Sequence, residues 1–136
     1  MNKQEYIKSK IQQYYKDKYK NDILNKKYLE KRKEDVIYRI IDNITTRCRY
    51  YFNKKNIIRN IKYNDLIGCD KEILRNHLAS QFKDNMNFDN YGKWEIDHIK
   101  PLSKCNFNNI DEIYEYFNYK NLQPLWKIDN IIKSNK

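Results

Sequence analysis

The chain has 136 residues, with 28 basic against 18 acidic and a formal net charge of +10, so nucleic acid is the first partner to consider and an anionic membrane surface the second. No run of about 18 apolar residues could span a bilayer, and the opening MNKQEYIKSK lacks the apolar stretch of a secretory leader. Three scattered cysteines, Cys48, Cys69 and Cys105, with no Cys-x-x-Cys pair, exclude a disulfide framework and a structural zinc site, and they fit a reducing intracellular compartment.

Residues 5–34 read as one long helix. Ile7, Ile11, Tyr15, Tyr19, Ile23, Leu24 and Tyr28 recur at nearly four-residue steps with lysines between them, and no Gly or Pro interrupts. The thin, tyrosine-rich stripe suggests an arm that orders on a partner. A second helix is expected over 35–52, where Val36, Ile37, Ile40, Ile41 and Ile44 form a stronger apolar face and Arg39, Arg47 and Arg49 lie on or near the polar side. Residues 53–64 are basic and mixed, and their pattern assigns no element. Gly68 suits a positive φ ahead of a helix. Asp70 suits the N-cap of that helix, over 71–83, with Ile73, Leu74, His77, Leu78 and Phe82 on one face. His77 reads as structural. Asn85 to Gly92 reads as a loop anchored by Met86 and Phe88.

The pattern changes at Trp94. WEIDHI alternates as a strand does, and Pro101 ends it. Residues 109–118 read as a short helix. Asn121 to Trp126 reads as a second extended piece, whose Pro124 suits an edge position. Residues from Asp129 onward read as a last helix. Trp94 and Trp126 flank this segment and read as core. Three regions follow: a basic helical arm over 1–34, a helical DNA-binding or support region over 35–93, and the segment 94–136. The charge is unequal among them. Residues 1–35 hold 11 basic and 6 acidic side chains, residues 36–93 the same numbers, and residues 94–136 hold 6 of each.

The chemistry-bearing residues are in the last segment. Asp97 and His98 are adjacent at a strand end, so their side chains alternate unless the strand bends, as Pro101 just beyond suggests. A carboxylate beside an imidazole offers a hard oxygen ligand and a base that titrates near neutrality. Asn130 offers a second, neutral oxygen. Glu95 lies on the strand face opposite Ile96 and could join the site.

The order Asp97-His98-Ile99-Lys100-Pro101-Leu102, then Asn121-Leu122, then Asn130-Ile131-Ile132-Lys133 resembles the HNH nuclease family. The stretches NYKNLQPLWKIDNIIKSNK and YNDLIGCDKEILRNHLASQFKDNMNFDNYGKWEIDHI look like forms found in virus- and phage-encoded members, so the resemblance covers about residues 63–136. It departs from the name-giving pattern at Asn130, where that pattern has His. An amide oxygen there suits Mg²⁺ better than an imidazole does. Zinc knuckles common in the family are lacking.

The resemblance implies an α+β fold with a C-terminal strand–strand–helix metal motif and a helical, basic N-terminal half. It implies hydrolysis of DNA phosphodiester bonds to 5′-phosphate and 3′-hydroxyl ends. His98 would be the general base, with Asp97 and Asn130 holding one Mg²⁺, Mn²⁺ or similar divalent ion. Asn121 would steady the backbone that presents His98, and Lys133 would reach a phosphate oxygen. Arg47, Arg49, Arg59 and Lys133 are the expected nucleic-acid contacts. DNA is the expected partner, with no membrane and no small-molecule cofactor, in a host cytoplasm or nucleus if a virus encodes the chain. The rival expectation is a nucleic-acid-binding protein that has lost catalysis.

Overall fold

The computed structural model describes residues 2–57 and 61–134, without the side chains of Tyr63 and Asn64. It divides into two units, residues 1–35 and residues 36–136. The first is a single helix, α1 (Lys3–Glu34). Its start is a capping box: Asn2 accepts from the Glu5 N–H at 2.9 Å, and the Asn2 N–H donates back to the Glu5 carboxylate at 3.2 Å. Lys31, Arg32 and Lys33 crowd its last turn, where the helix dipole favours cations. No residue of α1 is buried. The sequence reads as one apolar stripe, but four residues turn a helix through about 400°, so each step drifts by about 40°. From Ile7 to Ile23 the stripe therefore drifts through about 160°, nearly half way round the helix, instead of holding one face.

The second unit begins with α2 (Val36–Lys54), whose Ile37, Ile40, Ile44, Cys48 and Phe52 are buried. Then come α3 (Tyr63–Leu66) and α4 (Lys71–Ala79). Gly68 between them has φ +74°, and Asp70 caps α4 by accepting from the Ile73 N–H at 2.8 Å. The sequence predicts α4 to run to residue 83 with Ile73 on its buried face. Instead it ends at Ala79, because Gln81 and Phe82 make tighter bonds three residues back, to Leu78 and Ala79. Leu74 and Leu78 are buried and Ile73 is exposed.

Beyond these lie the strands and α-helices β1 (Trp94–His98), α5 (Ile110–Phe117), β2 (Leu122–Trp126) and α6 (Lys127–Ser134). The molecule is thus α+β, and β1 and β2 form a two-stranded antiparallel sheet with Asp97 opposite Gln123 and His98 opposite Leu122. Bonds flank the ladder at both ends, Ile99 N–H to Asn121 O and Lys127 N–H to Lys93 O. The alternation of an antiparallel ladder then puts Ile96–Pro124 at a non-hydrogen-bonded pair, so the proline forfeits no ladder bond.

Regions read separately from the sequence, 35–93 and 94–136, share one core. Trp94 is fully buried and packs on Phe82, Phe88 and Tyr91, with its indole N–H donating to the Asn87 carbonyl at 2.8 Å. Trp126 packs partly buried against the same core. His77 Nε2 lies 2.9 Å from the Leu122 carbonyl, tying α4 to β2. Burial pushes the Cys48 thiol up to about 12 and the Cys105 thiol up to about 11, so both behave as small apolar side chains.

Candidate active site

The strand pleat sorts the residues of β1. Glu95 and Asp97 project toward α6, while the His98 ring packs edge-on against Phe117 of α5 at 5.2 Å between centroids. On α6, Asn130 and Lys133 lie one turn apart and meet Glu95 and Asp97 in the same order.

Asp97 is buried, and two donors converge on its Oδ2: Lys133 Nζ at 2.6 Å and Gln123 Nε2 at 2.8 Å. A buried carboxylate needs such compensation, because an unpaired buried charge is costly. Lys133 Nζ also donates to the His98 carbonyl at 3.2 Å. Lys133 therefore sits on the carboxylate that the resemblance assigns to the metal, where the same resemblance implies a phosphate contact. Asn130 Nδ2 donates to Glu95 Oε1 at 2.5 Å.

His98 is almost wholly buried, and among the described residues its Nε2 has no hydrogen-bond partner. Burial, with the Arg47 guanidinium next in weight, holds its imidazole down to about 4 against an ordinary 6.5, despite the opposing pull of Asp97. The ring is neutral at pH 7 and able to accept a proton. Asn121 holds the turn beyond it. Its Oδ1 accepts from the Lys100 N–H at 2.8 Å, its Nδ2 donates to the Lys100 carbonyl at 3.2 Å and the Tyr116 carbonyl at 2.8 Å, and its own carbonyl accepts from the Ile99 N–H at 2.9 Å. One side chain thus fixes the chain two residues past His98.

Asp97, His98, Asn130 and Lys133 border one cleft of about 480 Å³, together with Arg47 and Tyr51 from α2. Arg47 and His98 also line a smaller depression with Glu95 and Asn43. Arg49 is exposed on α2 and does not line the cleft; Arg59 lies outside the described residues. Among the described residues no cluster of three or more His, Cys, Asp or Glu side chains is poised for a metal. One carboxylate and one amide fall below that count, yet as hard oxygen donors beside a buried, unpartnered imidazole nitrogen they suit a divalent cation completed by water and phosphate oxygens. Arg47 was identifiable from sequence only as one of several arginines. Its arrival at this cleft depends on how α2 packs, and no local pattern encodes that.

Among the described residues no helix is long and apolar enough to cross a membrane. No family model matches the chain, and no solved structure matches it. The chain is similar to uncharacterized protein L426 of Acanthamoeba polyphaga mimivirus, with 35% identity over 91 residues. The match takes in 66% of this chain and 40% of the length of that viral protein.

Proposed function

We propose that the chain is a divalent-metal-dependent DNA endonuclease of the HNH type, leaving 5′-phosphate and 3′-hydroxyl ends. One observation carries the reading. Asp97, His98, Asn130 and Lys133, set in the HNH order of spacing, border a single cleft in a strand–strand–helix arrangement. Asp97 and Asn130 would hold the ion, which supplies positive charge to the scissile phosphate and the leaving oxygen. His98, neutral at pH 7, takes the proton from the attacking water through its free Nε2. Asn121 keeps the turn after His98 in place, so the imidazole keeps its aim. Arg47 borders the cleft as a cation for phosphate oxygens, and Lys133, paired with Asp97, adds positive charge beside it. The net charge of +10 supplies a general attraction for the duplex.

A second reading, nucleic-acid binding without catalysis, is favoured by one feature: Nε2 of His98 is shut from solvent and Lys133 occupies Oδ2 of Asp97. Plasmid nicking separates the two. The nuclease reading expects nicked circles with Mg²⁺, none with EDTA, and a loss of about 10²–10⁴-fold in His98→Ala. Equal cleavage by His98→Ala would remove His98 from the chemistry, and plasmid binding with no metal-dependent nicking would leave the binding protein.

A further inference from the structure

We propose that Glu95 is a positioning residue: it holds the Asn130 amide so that Oδ1, and not Nδ2, is presented to the divalent cation. The proposal rests on the nuclease reading of the cleft. A carboxamide has a donor end and an acceptor end of nearly equal shape, and only the acceptor can ligate a cation. Some neighbour must therefore decide which way it faces. An ionised carboxylate accepts hydrogen bonds and donates none. Glu95 Oε1, at 2.5 Å, accepts from Asn130 Nδ2 and so turns Oδ1 away from itself. Asn130 borders the cleft that Asp97 also lines. Among the described residues Oδ1 of Asn130 accepts no hydrogen bond, so that oxygen remains available.

The placement follows from the pleat. Glu95 and Asp97, two residues apart, share the face of β1 that meets α6, and Asn130 and Lys133 answer them one turn apart. Asp97 thus acts as the charged ligand and Glu95 as the buttress of the neutral one. Outer partners of this kind alter metal affinity by about 10–100-fold when removed.

The test is Mn²⁺ titration of the full-length, EDTA-stripped protein without DNA, read by the loss of the free-ion paramagnetic signal. Circular dichroism melts run on every variant. Glu95→Gln, whose amide can donate or accept, should weaken Mn²⁺ by on the order of tenfold. Asn130→Asp adds a negative charge, yet it should bind no tighter than wild type, because two carboxylates then face each other across the former hydrogen bond. The double variant Glu95→Gln/Asn130→Asp restores one donor facing one acceptor at unchanged net charge, and it should recover wild-type affinity within about threefold. If Glu95 acted only as a distant charge, Asn130→Asp alone would bind tighter and the double variant would gain nothing specific; that result overturns the proposal. Wild-type affinity in Glu95→Gln overturns it as well. Asp97→Ala isolates the underlying reading: unchanged Mn²⁺ affinity there places the ion elsewhere, and the proposal falls with the site.

Discussion

At the scale of single residues the cleft is governed by how polar groups are compensated. Under cover, the Asp97 carboxylate accepts hydrogen bonds from both Lys133 and Gln123. Among the described residues His98 has no such partner at Nε2, and it stays neutral instead. This has a consequence for stability. With its proton affinity lowered to about 4 in the folded protein and an ordinary value of 6.5 in the unfolded chain, His98 takes up protons first on unfolding. Its contribution is complete above about 6.5, is lost progressively as pH falls to about 4, and is constant below that. In full it is about 3 kcal/mol. Urea unfolding in EDTA at pH 7 and at pH 4.5 should therefore show wild type losing more stability than His98→Leu, by about 2–3 kcal/mol. Contributions common to both proteins drop out of the difference. An equal loss in the two proteins would mean that the imidazole is not held neutral.

Spacing made Asp97, His98, Asn121, Asn130 and Lys133 legible in the sequence as a set, because these positions depend on chain order. What each side chain touches was less legible. Strand parity placed Glu95 and Asp97 on one face, but only the register of α6 against β1 pairs Glu95 with Asn130 and Asp97 with Lys133. That register is fixed by tertiary packing, as is the approach of Arg47.

At the scale of elements, local chemistry set the helix starts more firmly than the helix ends. Asp70 and Asn109 cap α4 and α5 with their own side chains, a signal carried by one residue. The end of α4 is a gradual tightening of its last turn, which no single residue announces. Pro124 correctly argued against a central strand, since a two-stranded sheet has only edges. Gly68 carries a sharper demand than its freedom of φ alone. A Cβ built there would lie 2.6 Å from Asn118 Nδ2, and φ is +74°. Asn118 in turn accepts from the Lys120 N–H at 3.0 Å, in the turn leading into β2. Gly68→Ala should thus combine a left-handed backbone cost of about 1–2 kcal/mol with displacement of that turn. Thermal unfolding should shift down by about 5–10 °C. A melting temperature unchanged within a degree would show that Asn118 moves aside freely and that the backbone relaxes to negative φ.

At the scale of the whole molecule the positive charge and the candidate chemistry are segregated along the chain. Residues 94–136 are formally neutral, with 6 basic and 6 acidic side chains, while residues 1–35 carry 11 against 6. The helix of the first unit has no buried residue and closes its own start with a capping box. Its apolar positions drift round the axis, which gives it no continuous seam for a coiled-coil partner. A lysine-rich rod of this kind is better suited to phosphates, and a helix of 32 residues, about 48 Å long, is long enough to meet many of them along a duplex. Deleting residues 1–34 should consequently weaken DNA binding while leaving the second unit folded. Each phosphate that a basic side chain neutralises contributes about 0.9 to the slope of log affinity against log salt, so an arm that neutralises three or four should flatten that slope by about 3 when it is removed. Single-turnover cleavage at saturating DNA should stay within about tenfold, since the proposed base and ligands all lie beyond Trp94. Binding measured at several salt concentrations, beside circular dichroism of the truncated protein, distinguishes the outcomes. An unchanged slope in a folded truncation would mean that the arm does not touch DNA, and loss of the fold would mean that the arm supports the core.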